Sequence, residues 1–146
     1  MKLFTIGFSG KNAKTFFELL KKNGVRTLVD IRLNNKSQLA GFTKAGDLPY
    51  FLEKICDIKY IHHELLAPTK ELLDGYKNGE VTWHSYEIKY NNILDSREIL
   101  KNINFASLDN SCFLCSEALP TQCHRRLLAE YVQKNLNIQN IEIIHL

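Results

Sequence analysis

Cys112-Phe-Leu-Cys-Ser-Glu-Ala-Leu-Pro-Thr-Gln-Cys-His-Arg-Arg126 is the stretch on which the reading of this chain turns. Its first four residues form an apolar run of strand character. Leu127, Leu128, Tyr131 and Val132 then recur at helical spacing, and Pro120 suits the first turn of that helix. A strand therefore passes into a helix through a turn that carries two thiols, a carboxylate, an imidazole and two guanidinium groups. Structural turns rarely need that chemistry. In α/β proteins the strand-to-helix edge is the usual ligand position, and the free N–H groups of a helix start attract anions.

The same alternation extends to both ends of the chain. Short apolar runs predict strands at Leu3–Ile6, Thr27–Ile31, Lys59–His62, Ser111–Cys115 and Ile141–His145, with helices between them. Asn12 is a candidate cap for a helix over Ala13–Lys22, whose buried face is Phe16, Phe17, Leu19 and Leu20 and whose stop is Gly24. A second helix is expected after Asp47, with Pro49 in its first turn and Leu48, Phe51, Leu52 and Ile55 facing inward. Thr82–Leu94 places Trp83, Tyr86, Tyr90 and Leu94 on one aromatic stripe. Asn34–Gly46, with Ser37, Gly41, Thr43 and Gly46, has no period and reads as a long loop; His63–Pro68 is a second irregular region. The pattern predicts a single three-layer α/β domain over 1–146, with a mostly parallel central sheet of about five strands flanked by helices. Both irregular regions then leave carboxyl ends of strands, on the edge that carries the cysteine turn.

A chain of 146 residues buries enough surface to fold without a disulfide scaffold or structural metal. It enters Leu3-Phe-Thr-Ile6 without a basic n-region or a long apolar h-region, and no apolar run approaches the roughly 20 residues of a membrane span. A cytoplasmic protein with reduced thiols and no membrane partner is the expectation. The net charge of +3 does not by itself define a nucleic-acid-binding protein, and it is compatible with an anionic ligand. Lys11, Lys14, Lys21 and Lys22 read as a solvated helix face.

A helical wheel drawn on the inward face of the last helix places His124 near its middle, Cys123 and Arg125 on its flanks, and Arg126 opposite, able to pair with Glu130. Cys115 ends an apolar strand and Glu117 follows in the turn, so Cys115 is either a small buried hydrophobe or a nucleophile activated by the helix start and neighbouring cations. Cys56 and Cys112 occupy core positions. Zinc is disfavoured, since there is no Cys-x-x-Cys pair and a helical Cys123-His124 doublet would point its side chains about 100° apart. A reversible Cys115–Cys123 disulfide is geometrically conceivable. Leu28-Val-Asp-Ile-Arg-Leu33 ends a buried strand with Asp30 and Arg32 on one side, either as an edge charge pair or as part of a site. Gly7-Phe-Ser-Gly10 makes a small-residue turn whose Gly7 and Ser9 can approach an anion, although no phosphate-loop motif follows. His62 and His63 alternate in direction, so at most one faces a shared pocket; His84 precedes Tyr86 on the aromatic helix. Tyr86 and Tyr90 are either core aromatics or a stacking surface for a nucleobase.

Together, Thr5-Ile-Gly-Phe-Ser9, Leu28-Val-Asp-Ile-Arg32, Gly41-Phe42, Tyr60, Trp83 with Tyr86 and Tyr90, and Cys115-Ser-Glu117 followed by Cys123-His-Arg-Arg126 resemble one family, the bacterial and archaeal domain of unknown function 488. The resemblance implies a single α/β domain and no established reaction. One departure is that Phe8 stands where many relatives have His in a Gly-His-Ser turn. The Asp-x-Arg strand is also similar to that of rhodanese-like domains, but their catalytic cysteine with an arginine six residues on is not matched here.

The leading expectation is an enzyme with a pocket at the carboxyl edge of the sheet, acting on an anionic phosphorylated metabolite or nucleotide. Arg32, Arg125 and the helix start hold the anion, Glu117 or Asp30 handles a proton, and Cys115 or Cys123 acts as nucleophile. One rival is a non-catalytic module that binds a nucleotide or single-stranded nucleic acid. Another is a thiol redox or metal sensor centred on Cys115 and Cys123. The motifs single out no cofactor.

Overall fold

The computed structural model describes residues 1–36 and 40–146. The elements in chain order are β1 (Lys2–Gly7), α1 (Ala13–Lys22), β2 (Thr27–Asp30), α2 (Leu48–Phe51), β3 (Lys59–His62), α3 (Lys70–Lys77), α4 (Trp83–Ser96), α5 (Ile99–Asn102), β4 (Ser111–Cys115), α6 (His124–Asn135) and β5 (Glu142–His145). The strands form one five-stranded sheet in the order β3-β2-β4-β1-β5, and every pairing in it is parallel rather than mostly parallel. Hydrophobic alternation explains why it is covered twice. Leu3, Val29 and Phe113 face one side, where they meet Tyr86, Tyr90 and Leu94 of α4 and Leu128 and Val132 of α6. Phe4, Leu28, Cys112 and Leu114 face the other, against Phe16, Phe17 and Leu20 of α1 and Leu48 of α2. Helices on both faces are the regular solution for a parallel sheet.

Local signals hold at most ends. The Asn12 side chain accepts a hydrogen bond from the Thr15 N–H at the start of α1, and Thr82 does the same for Ser85 at the start of α4. The second helix is shorter than expected. Asp47 makes no side-chain cap, α2 ends at Phe51 and the chain continues as a wider π turn over Leu52–Cys56. That change of winding shifts the inward face, so Ile55 is exposed instead of buried. The long loop contains a 3-10 turn at Gly41–Thr43, and Ser37 lies outside the described residues. No helix among the described residues is long and apolar enough to cross a membrane.

The topology opens a crevice at one edge of the sheet. The connection after β4 runs to α6 on one face, whereas those after its neighbours β1 and β2 run to α1 and α2 on the opposite face. Chains that part to opposite faces leave a crevice at the carboxyl ends of adjacent strands. Cys115 closes β4 at that point, in register with Gly7 of β1.

Candidate functional site

A cavity of about 880 Å³ occupies this crevice, with Cys115, Cys123 and His124 in its wall beside Arg32, Glu117 and Ser9. Helix α6 begins at His124, later than Pro120 suggests, and Cys123 is its extended N-cap (φ −143°, ψ 135°). The residues from Ser116 to Gln122 thus form a turn of their own. Because Cys123 lies outside the helix, its side chain does not diverge from His124 by the helical angle. The donor atoms of Cys115, Cys123 and His124 all lie within 4.8 Å of one another.

The imidazole is oriented from both sides. His124 Nε2 is 3.1 Å from the Ile31 carbonyl oxygen, which can only accept, so Nε2 carries the proton and donates. Nδ1 is left facing Cys115 Sγ at 3.6 Å. Tyr90 packs edge-on against the ring, and Tyr86 and Trp83 stack behind it. Burial works against the charged form of both partners, but their neighbours oppose it. For Cys115, the Cys123 thiol, the His124 charge and hydrogen bond, and the Glu117 backbone N–H outweigh burial and hold the thiol well below its ordinary range. For His124, burial is outweighed by the Cys115 thiolate and the Ile31 carbonyl, and the ring is raised. Cys123 moves the opposite way, pushed up by burial and then by the adjacent Cys115 sulfur. The opposed directions make Cys115 the thiolate and Cys123 its hydrogen-bond donor. Burial pushes Cys112 and Cys56 upward, in keeping with inert thiols.

Arg125 is not on a flank. It is fully buried and absent from the cavity wall, with Nη1 donating to the Glu117 carbonyl and Nη2 to the Ala118 carbonyl at 3.2 Å. Its Nη1 also approaches Cys123 Sγ at 3.6 Å. Arg125 therefore clamps the turn. Gly7 makes this possible, since a Cβ there would lie 2.7 Å from the Glu117 carbonyl carbon and 2.6 Å from Arg125 Nη1. Arg126 does not point to solvent as the wheel suggests. It spans α6 and α4, bonding Glu87 at 2.6 Å as well as Glu130 at 3.0 Å.

Asp30 is fully buried and spent on structure. It accepts from Arg32 N, Nε and Nη2 and from the Tyr60 hydroxyl, and Arg32 Nη2 also donates to the Thr43 carbonyl. The Arg32 guanidinium lies 5.5 Å over the Phe8 ring. Arg32 reaches the cavity wall while Asp30 stands behind it. Glu117 contributes chiefly its backbone: its side chain is exposed, and its N–H and carbonyl serve Cys115 and Arg125. Tyr86 lines the cavity; Tyr90 and Gly7 support it from behind. Neither His62 nor His63 is in the wall; His62 Nε2 donates to the Arg32 carbonyl at 3.1 Å. His84 is exposed.

Tyr76, Lys77 and Gln122 complete the wall without any sequence signal singling them out, and Lys11, read as solvated surface, is half-buried there. Burial and then the Arg125 charge lower the Lys11 pKa. Helix α3 carries Tyr76 and Lys77 to the crevice by tertiary packing of Tyr76 against Trp83 and Tyr86, which no local motif encodes.

Fold and site together define an α/β protein with a buried Cys–His cluster in the switch-point crevice of an all-parallel sheet. The chain belongs to the family described as Domain of unknown function DUF488, whose model matches residues 12–132. Neither the curated proteins nor the solved structures contain a match to it.

Proposed function

We propose that the protein is an enzyme acting on an anionic substrate, a phosphorylated metabolite or nucleotide, with Cys115 as nucleophile. The observation that carries this reading is the Cys115 Sγ–His124 Nδ1 pair at 3.6 Å, with the tautomer fixed by the Ile31 carbonyl. A thiolate paired with an imidazolium is the activated form of a cysteine nucleophile. As Sγ attacks an electrophilic centre, the proton is already held on Nδ1, from which it passes to the leaving group. The Glu117 N–H and the Cys123 thiol stabilise the sulfur before attack and again when water, giving its proton to His124 Nδ1, displaces Sγ from the covalent intermediate. Asp30, committed to Arg32 and Tyr60, takes no proton in this scheme.

Support for an anionic substrate comes from the charge of the wall. Among its described residues Lys11 and Lys77 are cationic, Arg32 is a guanidinium already paired with Asp30 behind the wall, and Glu117 is the one carboxylate. Trp83, Tyr76 and Tyr86 offer an apolar side to the remainder of the molecule. A single-stranded nucleic-acid surface is less well supported, because Tyr86 and Tyr90 are buried and unable to stack successive bases. The test is calorimetric titration of the wild type and Cys115→Ser with nucleotides and sugar phosphates, followed by product analysis. The reading expects both proteins to bind the same ligand and only the wild type to turn it over. Turnover by Cys115→Ser, or no binding across the panel, would refute it.

A further inference from the structure

We infer that Cys115 Sγ, Cys123 Sγ and His124 Nδ1 form a three-donor site for a thiophilic divalent cation of the zinc class, with the fourth coordination position opening on the cavity. The three atoms lie within 4.8 Å of one another. In a tetrahedral site with Zn–S near 2.3 Å and Zn–N near 2.0–2.1 Å, the ligand atoms stand about 3.6 Å (S to N) and about 3.8 Å (S to S) apart. Cys115 Sγ and His124 Nδ1 are already 3.6 Å apart. Closing the triangle on a cation therefore requires a movement of about 1 Å at most, on the scale of a side-chain adjustment.

Three further features fit a cation. The Ile31 carbonyl accepts from Nε2, which fixes the tautomer that leaves the Nδ1 lone pair toward the sulfurs. A carbonyl on the distal ring nitrogen is the usual outer-shell support for a metal-bound histidine. The donors come from a strand end, a helix N-cap and the first helical residue, so the backbone holds all three without a long flexible loop. The charges also balance, since two thiolates neutralise a divalent ion and Arg125 Nη1, 3.6 Å from Cys123 Sγ, favours the second thiolate. Two sulfurs and an imidazole select zinc-class ions over magnesium or calcium, which take oxygen. No fourth cysteine, histidine or carboxylate joins the group among the described residues, and all three donors are in the cavity wall. Three protein ligands with an open position distinguish a ligand-accepting site from the closed four-ligand structural kind that the sequence argues against.

The probe is cobalt(II) alone, titrated into chelator-treated full-length protein and followed by absorption. The inference expects one equivalent to bind, with thiolate-to-cobalt charge-transfer absorption and the strong d–d bands of four-coordinate cobalt, and zinc to bleach both. Cys115→Ser and Cys123→Ser should each weaken binding at least tenfold, and Cys56→Ser should not change it. Where a serine variant loses its native circular dichroism, His124→Gln replaces it, because the glutamine amide keeps a donor for Ile31 while removing Nδ1. Weak six-coordinate bands, no saturation at one equivalent, or an unchanged spectrum in these variants would overturn the inference. Alkylation of Cys115 in the same chelator-treated protein scores the nucleophile separately. Fast alkylation without cobalt uptake sinks the metal site alone, and cobalt uptake by a protein whose metal-free Cys115 is inert sinks the nucleophile alone.

Discussion

Gly7→Ala tests whether the turn between β4 and α6 is held as described. The added Cβ would sit 2.7 Å from the Glu117 carbonyl carbon and 2.6 Å from Arg125 Nη1, where ordinary contact begins at 3.4 Å. Neither neighbour is the free end of a flexible chain, since the first is backbone and the second is clamped. The turn must retreat, which breaks the Arg125–Glu117 bond and strains the Ser9 N–H to Ser116 carbonyl bond of 3.0 Å. A hydrogen bond from a charged donor contributes about 1.5–3 kcal/mol and a neutral one about 1 kcal/mol. Reduced backbone freedom in the unfolded chain returns about 0.4–1 kcal/mol. The expected net loss is about 2–3 kcal/mol, or a Tm lower by about 5–10 °C for a chain of this size. Urea unfolding and thermal melts read it directly. Gly10→Ala is the control: it meets no atom within 4 Å but adopts φ +76°, so it should cost about 1–2 kcal/mol through backbone strain and leave Cys115 unchanged. If Gly7→Ala unfolds within 0.5 kcal/mol of wild type, the close approach of the turn to β1 is wrong.

Asp30→Asn should cost about 3–5 kcal/mol in urea unfolding, because it leaves the buried Arg32 guanidinium without its counter-charge; a loss below 1 kcal/mol would show the pair to be solvated. Arg126→Ala should lower stability by about 1 kcal/mol through loss of the α4–α6 link to Glu87, and should not alter Cys115 alkylation. The depressed Cys115 pKa predicts that its alkylation rate, followed by mass spectrometry, reaches its plateau below the pH of about 8.5 at which an ordinary thiol is half-ionised and falls only as the pH drops through the lowered value. A rate that keeps rising through pH 8.5 contradicts the shift.

The fold was legible because parallel strands buried on both faces leave continuous apolar runs, and all five were located to within a residue or so at their ends. The Asn12 cap is local chemistry and legible in the sequence, whereas Thr82 marks there only the start of the aromatic segment, and its capping of Ser85 emerges from the structure. Errors arose where local periodicity met tertiary constraint. The π turn after α2 rotated Ile55 outward, and the late start of α6 turned Cys123 toward Cys115. A helical wheel drawn through Cys123 assumes a helix that has not begun. Arg125 carries a charge that reads as ligand-binding, yet its partners are the backbone carbonyls of the turn. Asp30 keeps the Arg32 pair that the sequence offered as one alternative, and Tyr60, thirty residues on, joins it without a local signal. Tyr76 and Lys77 reach the cavity only because α3 packs on α4, and no local signal announces that contact.

Regioselective alkylation at neutral pH distinguishes one activated Cys115–His124 pair from four independent thiols. Chelator-treated protein is exposed briefly to substoichiometric iodoacetamide and mapped by peptide mass spectrometry, in the wild type and in His124→Gln. An activated pair gives modification at Cys115 ahead of Cys56, Cys112 and Cys123, even though Cys56 is the most exposed of the four, and a drop of at least tenfold in the Cys115 rate when Nδ1 is removed. Preferential labelling of Cys56 or Cys123, or a Cys115 rate unchanged in His124→Gln, would contradict it.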